Sequence, residues 1–304
     1  VTPDGTATGG DAGPRPGPVG DLFPRDLLAG RVALVTGGGT GIGRGITACL
    51  LRYGADVAIA ARDLDRLEEA AGELEAEHGG TVLPLRTDVR EPETVTETMD
   101  RAAAELGGLH VLVNNAAGNF YSPSEELSPG GWQAVVETDL HGTFYCSQAA
   151  FPHMKEAGWG RIVSISMTLH YRGWPRMAHA TAAKAGVDGL TRTLALEWAE
   201  HGINVNAVAP GPVPTEGVRK AFADPGEETP DPFGSGEDAP ADAPGLRAAR
   251  EYARRAIPAG RLGRPDDIGH MVTYLCSPGG DFITGAVMVV DGGENLSRIG
   301  MPGG

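Results

Sequence analysis

Eight residues, Thr36-Gly37-Gly38-Gly39-Thr40-Gly41-Ile42-Gly43, have the types and spacing needed to hold a phosphate. Glycine lacks a Cβ, so the backbone can close on a bulky anion, and the N-terminus of a following helix adds free N–H groups and partial positive charge. A glycine cluster can also be a tight turn. Here the apolar run Val32-Ala33-Leu34-Val35 precedes it and a helical stretch through Leu51 follows. That strand–turn–helix context is the placement of a dinucleotide pyrophosphate site. Thr36, Gly37, Gly39, Thr40, Gly41, Ile42 and Gly43 are therefore expected at the cofactor.

The end of the second strand ordinarily faces the adenosine ribose, where an acid favours a free 2′-hydroxyl and an arginine a 2′-phosphate. The chain reads Ala60-Ala61-Arg62-Asp63 there. Arg62 comes first, which favours NADP over NAD. Asp63 argues the other way, and Arg62 could also be a solvated helix start. Asp88, in Thr87-Asp88-Val89 after the third strand, is placed either to hydrogen-bond adenine or to cap a helix.

Holding these groups in one crevice requires alternating strands and helices. After the first strand and helix come the strand Asp56–Ala60, a charged helix from Leu64 to Glu77, and a strand at Val82–Leu85. A helix from about Val95 to Leu106 and the strand Val111–Val113 follow, then a helix from Trp132 to Lys155 and a strand from Arg161 to Ile165. A helix from Ala178 to Ala199 and strands Asn204–Val208 and Ala286–Val290 complete the pattern. The expected fold is α/β: a single doubly wound parallel sheet of Rossmann type, flanked by helices.

Residues 1–29, rich in Pro and Gly, read as a disordered tail; 30–296 read as the Rossmann-type domain and 297–304 as a C-terminal tail. Residues 224–245 carry seven acidic side chains and no basic ones, and read as an acidic insertion. The helix expected after it, Leu246 to Ile257, bears Arg247, Arg250, Arg254 and Arg255, either as a substrate lid or as a solvated face.

A net charge of −15 argues against nucleic acid as a partner, and no apolar run is long enough for a membrane helix. Cys49, Cys146 and Cys276 form neither a disulfide framework nor a metal spacing, so no metal is expected and a cytoplasmic, reducing location fits. The ending Met301-Pro302-Gly303-Gly304 is not a peroxisomal signal.

Asn114-Asn115-Ala116-Ala117-Gly118, the glycine motif, Lys184, Pro210-Gly211-Pro212 and Asp291-Gly292-Gly293 occur in an order that resembles the short-chain dehydrogenase/reductase family over residues 31 to 293. The resemblance implies a cofactor site that adds Val89, Asn115, Ala116, Ala117, Gly118, Lys184, Pro210, Gly211 and Val213. It also implies an active site of Asn, Ser, Tyr and Lys, with the tyrosine four residues before the lysine. Here that position is Ala180, the serine position is Met167 with Ser166 adjacent, and the asparagine position is Asp139. An ordinary ketone reductase would have lost its proton donor.

A tyrosine-free lysine motif, His179-Ala180-Thr181-Ala182-Ala183-Lys184, together with Ala117-Gly118-Asn119-Phe120 and Pro210-Gly211-Pro212-Val213, resembles the 2,4-dienoyl-CoA reductases, nearest to their peroxisomal type. That resemblance implies NADPH-dependent reduction of a conjugated C=C bond in an enoyl or dienoyl thioester, through a dienolate. Asn119 is then the donor to the thioester oxygen, or else only a turn residue. Lys184 contacts the nicotinamide ribose, and Asp139 pairs with it, relays a proton, or is a solvated carboxylate. The mitochondrial type has a further tyrosine fifteen residues before the lysine; here that residue is Leu169, with His170 and Tyr171 close by. Tyr171 and Ser166 are candidates for its role.

The expected partner is a small-molecule substrate, a CoA or carrier thioester, although the acidic insertion would repel CoA if it covered the mouth. A reductase of a ketone, imine or other enone in secondary metabolism, and an inactive NADP(H)-sensing module, are the alternatives. The resemblance also implies a homotetramer built on the Trp132–Lys155 and Ala178–Ala199 helices.

Overall fold

The computed structural model describes residues 21–215 and 251–296. Seven parallel strands form one sheet in the order β3-β2-β1-β4-β5-β6-β7. They are β1 (Val32–Thr36), β2 (Asp56–Ala61), β3 (Val82–Arg86), β4 (Val111–Asn114), β5 (Gly160–Ile165), β6 (Ile203–Pro210) and β7 (Val287–Val290). Between them lie α1 (Gly41–Arg52), α2 (Leu64–His78), α3 (Pro92–Leu106), α4 (Pro129–Val136), α5 (Gly142–Ala157) and α6 (Ala178–Trp198), with α7 (Pro265–Cys276) before β7. Strand order reverses between β1 and β4. In doubly wound sheets the crevice at that reversal, beyond the carboxyl ends of the strands, receives the ligand.

All five residues of β1 are buried, as expected for a central parallel strand covered on both sides. Its side chains alternate between two cores. Ala33 and Val35 join Ile46, Leu50, Ile268 and Val272 under α1 and α7, whereas Leu34 joins Met99, Leu112, Cys146 and Met154 under α3 and α5. The strand ends are therefore fixed from both faces, and the loops that leave them are placed by the core.

Three sequence expectations change. Residues 21–29 are packed against the domain rather than loose: Leu28 is 1% exposed, its N–H donates to the Tyr53 carbonyl at 2.8 Å, and Phe23 stands edge-on to Tyr53. The Pro/Gly composition of the tail does not extend to Phe23, Leu27 and Leu28, whose apolar surface packs on the core at the end of α1. Residues 1–20, the acidic insertion at 224–245, Arg247, Arg250 and residues 297–304 lie outside the described residues.

The helix α7 was not anticipated, yet it packs along α1 and buries Ile268, Val272, Leu275 and Cys276 at helical spacing, with Pro265 in its first turn. The single helix expected from Trp132 to Lys155 is two helices joined by a π turn, Glu137–His141. Around this turn the hydroxyls of Thr138, Thr143 and Ser147 donate to carbonyls four residues back, at 2.7–2.8 Å. Such side-chain bonds loosen the ordinary helical ladder. Among the described residues no helix is long and apolar enough to cross a membrane.

Candidate functional site

A cleft of about 1110 Å³ opens at the carboxyl ends of the strands. Its floor is the β1–α1 turn, and the need for glycine there is steric. A Cβ on Gly43 would lie 2.1 Å from the Gly37 carbonyl oxygen and 2.5 Å from Asn115 Nδ2. Gly37 and Gly41 have φ of +67° and +54°, which residues with a Cβ rarely adopt. Thr40, the N-cap of α1, makes no side-chain cap bond, and the first turn holds no acidic residue. The start of α1 thus retains the N–H donors and the positive end of the dipole for an anion.

Thr36 does not line the cleft. It is 2% exposed and stands behind it, where its Oγ1 accepts from the Asn115 and Ala116 N–H groups at 3.0 and 2.9 Å. Asn115 Nδ2 returns a bond to the Thr36 carbonyl at 2.9 Å. These bonds tie the ends of β1 and β4 and set the width of the crevice. Gly37, Gly39, Thr40, Gly41, Ile42, Gly43, Asn115, Ala116, Ala117, Gly118, Pro210, Gly211 and Val213 all line it.

Arg62, Asp88 and Val89 line the end beyond β2 and β3, together with Arg66, which sequence reasoning did not select. Asp63 caps α2, its Oδ1 accepting from the Arg66 N–H at 3.2 Å. Asp88 does not cap a helix, because Glu91 is the N-cap of α3. Instead its carboxylate is gripped by the Arg90 side chain at 2.9 and 2.5 Å, which holds its pKa below the usual carboxylate range.

At the other end, Lys184 and Asp139 are 5% and 1% exposed. Lys184 Nζ donates to the Ile165 carbonyl at 2.8 Å and lies 3.5 Å from Asp139 Oδ2. Asp139 Oδ1 accepts from the Gly118 N–H at 2.8 Å. Burial pushes the Asp139 carboxyl above its ordinary pKa, against the pull of Lys184 and of the Gly118 N–H. Behind them His179 is fully buried, with its imidazole pKa lowered by burial and Phe120 edge-on against it at 4.6 Å.

Asn119 lines the same end, and its Oδ1 accepts from the Phe120 N–H at 2.8 Å. With the oxygen engaged, the NH₂ group is the end left to donate. Ser166 also lines the cleft, but its hydroxyl donates to Asp188 Oδ1 at 2.6 Å. His170 Nε2 meets the other oxygen of Asp188 at 2.8 Å. Tyr171 is not brought to the cleft: the 3₁₀ turn Leu169–Tyr171 points Leu169 inward and leaves Tyr171 45% exposed. Burial and the Asp188 carboxylate raise its pKa.

A family model described as short chain dehydrogenase matches residues 31–226, and one described as enoyl-(acyl carrier protein) reductase matches residues 237–295. The chain belongs to the short-chain dehydrogenase/reductase family. This short-chain oxidoreductase is 38% identical over 277 residues to a zebrafish (Danio rerio) protein named peroxisomal 2,4-dienoyl-CoA reductase, (3E)-enoyl-CoA-producing, covering 91% of this chain and 85% of the relative. The rat (Rattus norvegicus) protein of the same name is 40% identical over 274 residues, covering 90% and 86%. A crystal structure of a short-chain type dehydrogenase/reductase from Mycobacterium marinum superposes with a TM-score of 0.76 at 32% identity, covering 90% of this chain and 99% of that one.

The family implies a nicotinamide cofactor, and the glycine floor, the open start of α1 and Lys184 fit one. The enzyme's cleft also has a wall that sequence reasoning missed, made of Tyr121, Trp174, Met177, Tyr252 and Glu294. Tyr252 sits in the arginine-bearing segment taken as a possible lid. Residues 251–256 are helical and turn Tyr252 toward the cleft, while Arg254 and Arg255 face outward. Glu294 follows the Asp291-Gly292-Gly293 motif, and only the turn chemistry of that motif hints at its position.

Proposed function

We propose that this enzyme uses NADPH to reduce a conjugated C=C bond in an enoyl or dienoyl thioester. The carrying observation is the fully buried Ala180 at the position of the family's tyrosine, beside an intact Lys184–Asp139 pair. No phenol is available there to protonate a ketone oxygen. When bound, the reduced nicotinamide supplies a hydride to the remote carbon of the conjugated system. Negative charge then collects on the thioester oxygen as a dienolate, and the NH₂ of Asn119 is the donor aimed at it.

Protonation falls on carbon, so no acid need touch the oxygen. Asp139 and Lys184, paired at 3.5 Å, are the ionisable groups placed at this end of the cleft to relay a proton to that carbon through water. The relatives named as (3E)-enoyl-CoA-producing support the same order, with protonation at the carbon next to the thioester.

The choice of NADPH is supported by the division of labour between Arg62 and Asp63. The Asp63 carboxylate is committed to capping α2, which leaves Arg62 at the cleft to meet a 2′-phosphate. A homotetramer on α5 and α6 is supported by the exposed Phe144 and Leu196 on those helices, and size-exclusion with light scattering would read it directly.

The test follows absorbance of the reduced cofactor with 2,4-hexadienoyl-CoA against a panel of simple ketones, in parallel with NADPH and NADH. Rapid oxidation of NADPH with the dienoyl thioester and little with ketones is expected. Tight NADPH binding without oxidation by any conjugated acceptor would overturn the reading. Equal kcat/KM with NADH would overturn the cofactor choice alone.

A further inference from the structure

One wall of the cleft contains a carboxylate that the proposed chemistry does not use. Glu294 is 4% exposed and lines the cleft. Its Oε1 accepts two bonds, a short one from Arg172 Nη2 and one from the Tyr252 hydroxyl at 3.3 Å. Its Oε2 is buried and has no hydrogen-bond partner among the described residues. A buried acceptor left unpaired is unfavourable, typically by more than a made bond contributes.

The carboxylate is held in place from both ends. Arg172 Nη1 donates to the Glu294 backbone carbonyl at 3.1 Å. Asp291 accepts from the N–H groups of Gly293 and Asn295 at 2.7 and 2.8 Å, which fixes the turn carrying Glu294. Gly292 and Gly293, at φ of +65° and +87°, permit that turn. Around the carboxylate stand Tyr121, whose hydroxyl accepts from Trp174 Nε1 at 3.3 Å, and Tyr252, whose phenol pKa is pushed up to about 12 by burial and by Glu294. The Arg172 guanidinium already neutralises Glu294, so a second cation has little to gain there.

We infer that Glu294, walled by Tyr121, Trp174 and Tyr252, forms a specificity subsite: a turn of its carboxyl group brings the buried, unpaired Oε2 to the cleft, where it accepts a hydrogen bond from a neutral O–H or N–H of the substrate. A plain alkyl dienoyl chain would leave that oxygen unpaired. A hydroxyl on the acyl chain beyond the conjugated bonds, or an amide N–H of a pantetheine-like carrier arm, would satisfy it. The inference rests on the thioester reading for its scaffold and on Glu294 alone for its chemistry.

The test uses six ligands: 2,4-hexadienoyl, 6-hydroxy- and 6-methoxy-2,4-hexadienoyl groups, each as the ethyl thioester and as the N-acetylcysteamine thioester, which adds one amide N–H. Binding to the NADP⁺-loaded protein is read from quenching of tryptophan fluorescence, with Trp174 in the wall as reporter. The donor-bearing member of at least one pair, hydroxy over methoxy or N-acetylcysteamine over ethyl, should bind tighter by roughly tenfold or more, as expected for a hydrogen bond to a charged acceptor. Which pair shows the preference identifies the source of the donor.

The isosteric variant Glu294→Gln should lose that preference. Arg172 and Tyr252 both donate, so they select the glutamine oxygen and turn its NH₂ into the position of Oε2. No preference in either pair, or an unchanged preference in Glu294→Gln, overturns the subsite. Oxidation of NADPH by the same ligands is scored separately. Selective binding without reduction refutes the proposed function alone, reduction without selectivity refutes the subsite alone, and no binding of any ligand refutes both.

Discussion

Replacing Lys184 by Met leaves Asp139 as a buried carboxylate with a single backbone N–H partner, the Gly118 amide. The loss of the ammonium removes the strongest of the forces opposing burial, so the Asp139 pKa, already above its ordinary 3.8, moves higher in the folded state. A raised folded pKa gives a contribution that is fully present below 3.8 and is lost as pH rises toward the folded value. Over that range the folded protein loses up to about 1.4 kcal/mol for each pH unit. Removing one partner of a buried ion pair typically costs roughly 3–5 kcal/mol in all. The pH dependence distinguishes this loss from a simple packing defect.

The measurement is urea unfolding of Lys184→Met and of the double variant Lys184→Met/Asp139→Asn at pH 5, 6, 7 and 8. The single variant should fall progressively below the double variant as pH rises, by up to about 1.4 kcal/mol per unit. Parallel stability curves for the two, separated by the same amount at every pH, would refute the reasoning. They would mean that solvent reaches Asp139 once Lys184 is shortened, and that burial does not govern its ionisation.

Asn119→Ala should lower kcat by roughly 10²–10³ with little change in cofactor affinity, as for loss of one oxyanion donor; steady-state rates and a cofactor titration check both halves. Gly43→Ala should abolish cofactor binding, measured by fluorescence of the reduced nucleotide, because its Cβ would sit 2.1 Å from the Gly37 carbonyl oxygen. Circular dichroism of that variant should still show a folded α/β protein. Leu28→Ala should destabilise the domain by about 2–5 kcal/mol in thermal or urea unfolding, since the side chain is buried in the core; an effect below about 0.5 kcal/mol would place residues 21–29 outside the cooperative unit.

The sheet was legible because each strand is a short apolar run bounded by glycine or polar residues, and the cofactor end because its glycines precede a helix. Residues 21–29 were misread because proline and glycine upstream masked three apolar side chains that pack on the core beside Tyr53, a residue far along the chain. The helix α7 was overlooked although its apolar spacing is regular, because the Pro-, Gly- and acid-rich sequence upstream breaks the strand–helix rhythm of the pattern. Asp139 and Lys184 could be named in advance, but their mutual distance could not, since it depends on how α6 packs on the π turn. Glu294 and Tyr252 belong to separate segments after β6 and meet only in three dimensions. Tyr171 looked close to Lys184 in sequence, and a single 3₁₀ turn rotated it away.

The π turn at Glu137–His141 also sets the tolerance of the chain to changes in length. Before it, α4 packs against α6; after it, α5 packs against α3. The wider turn lets one continuous rod serve two neighbours that demand different rotational phases. Deleting one residue there would rotate everything downstream by about 100°, since an α-helix completes a turn in about 3.6 residues. Insertions and deletions are ordinarily absorbed in surface loops, but here a one-residue count is part of the active-site design. Chimeras between this enzyme and its relatives should therefore be joined outside 129–157, with that rod exchanged whole.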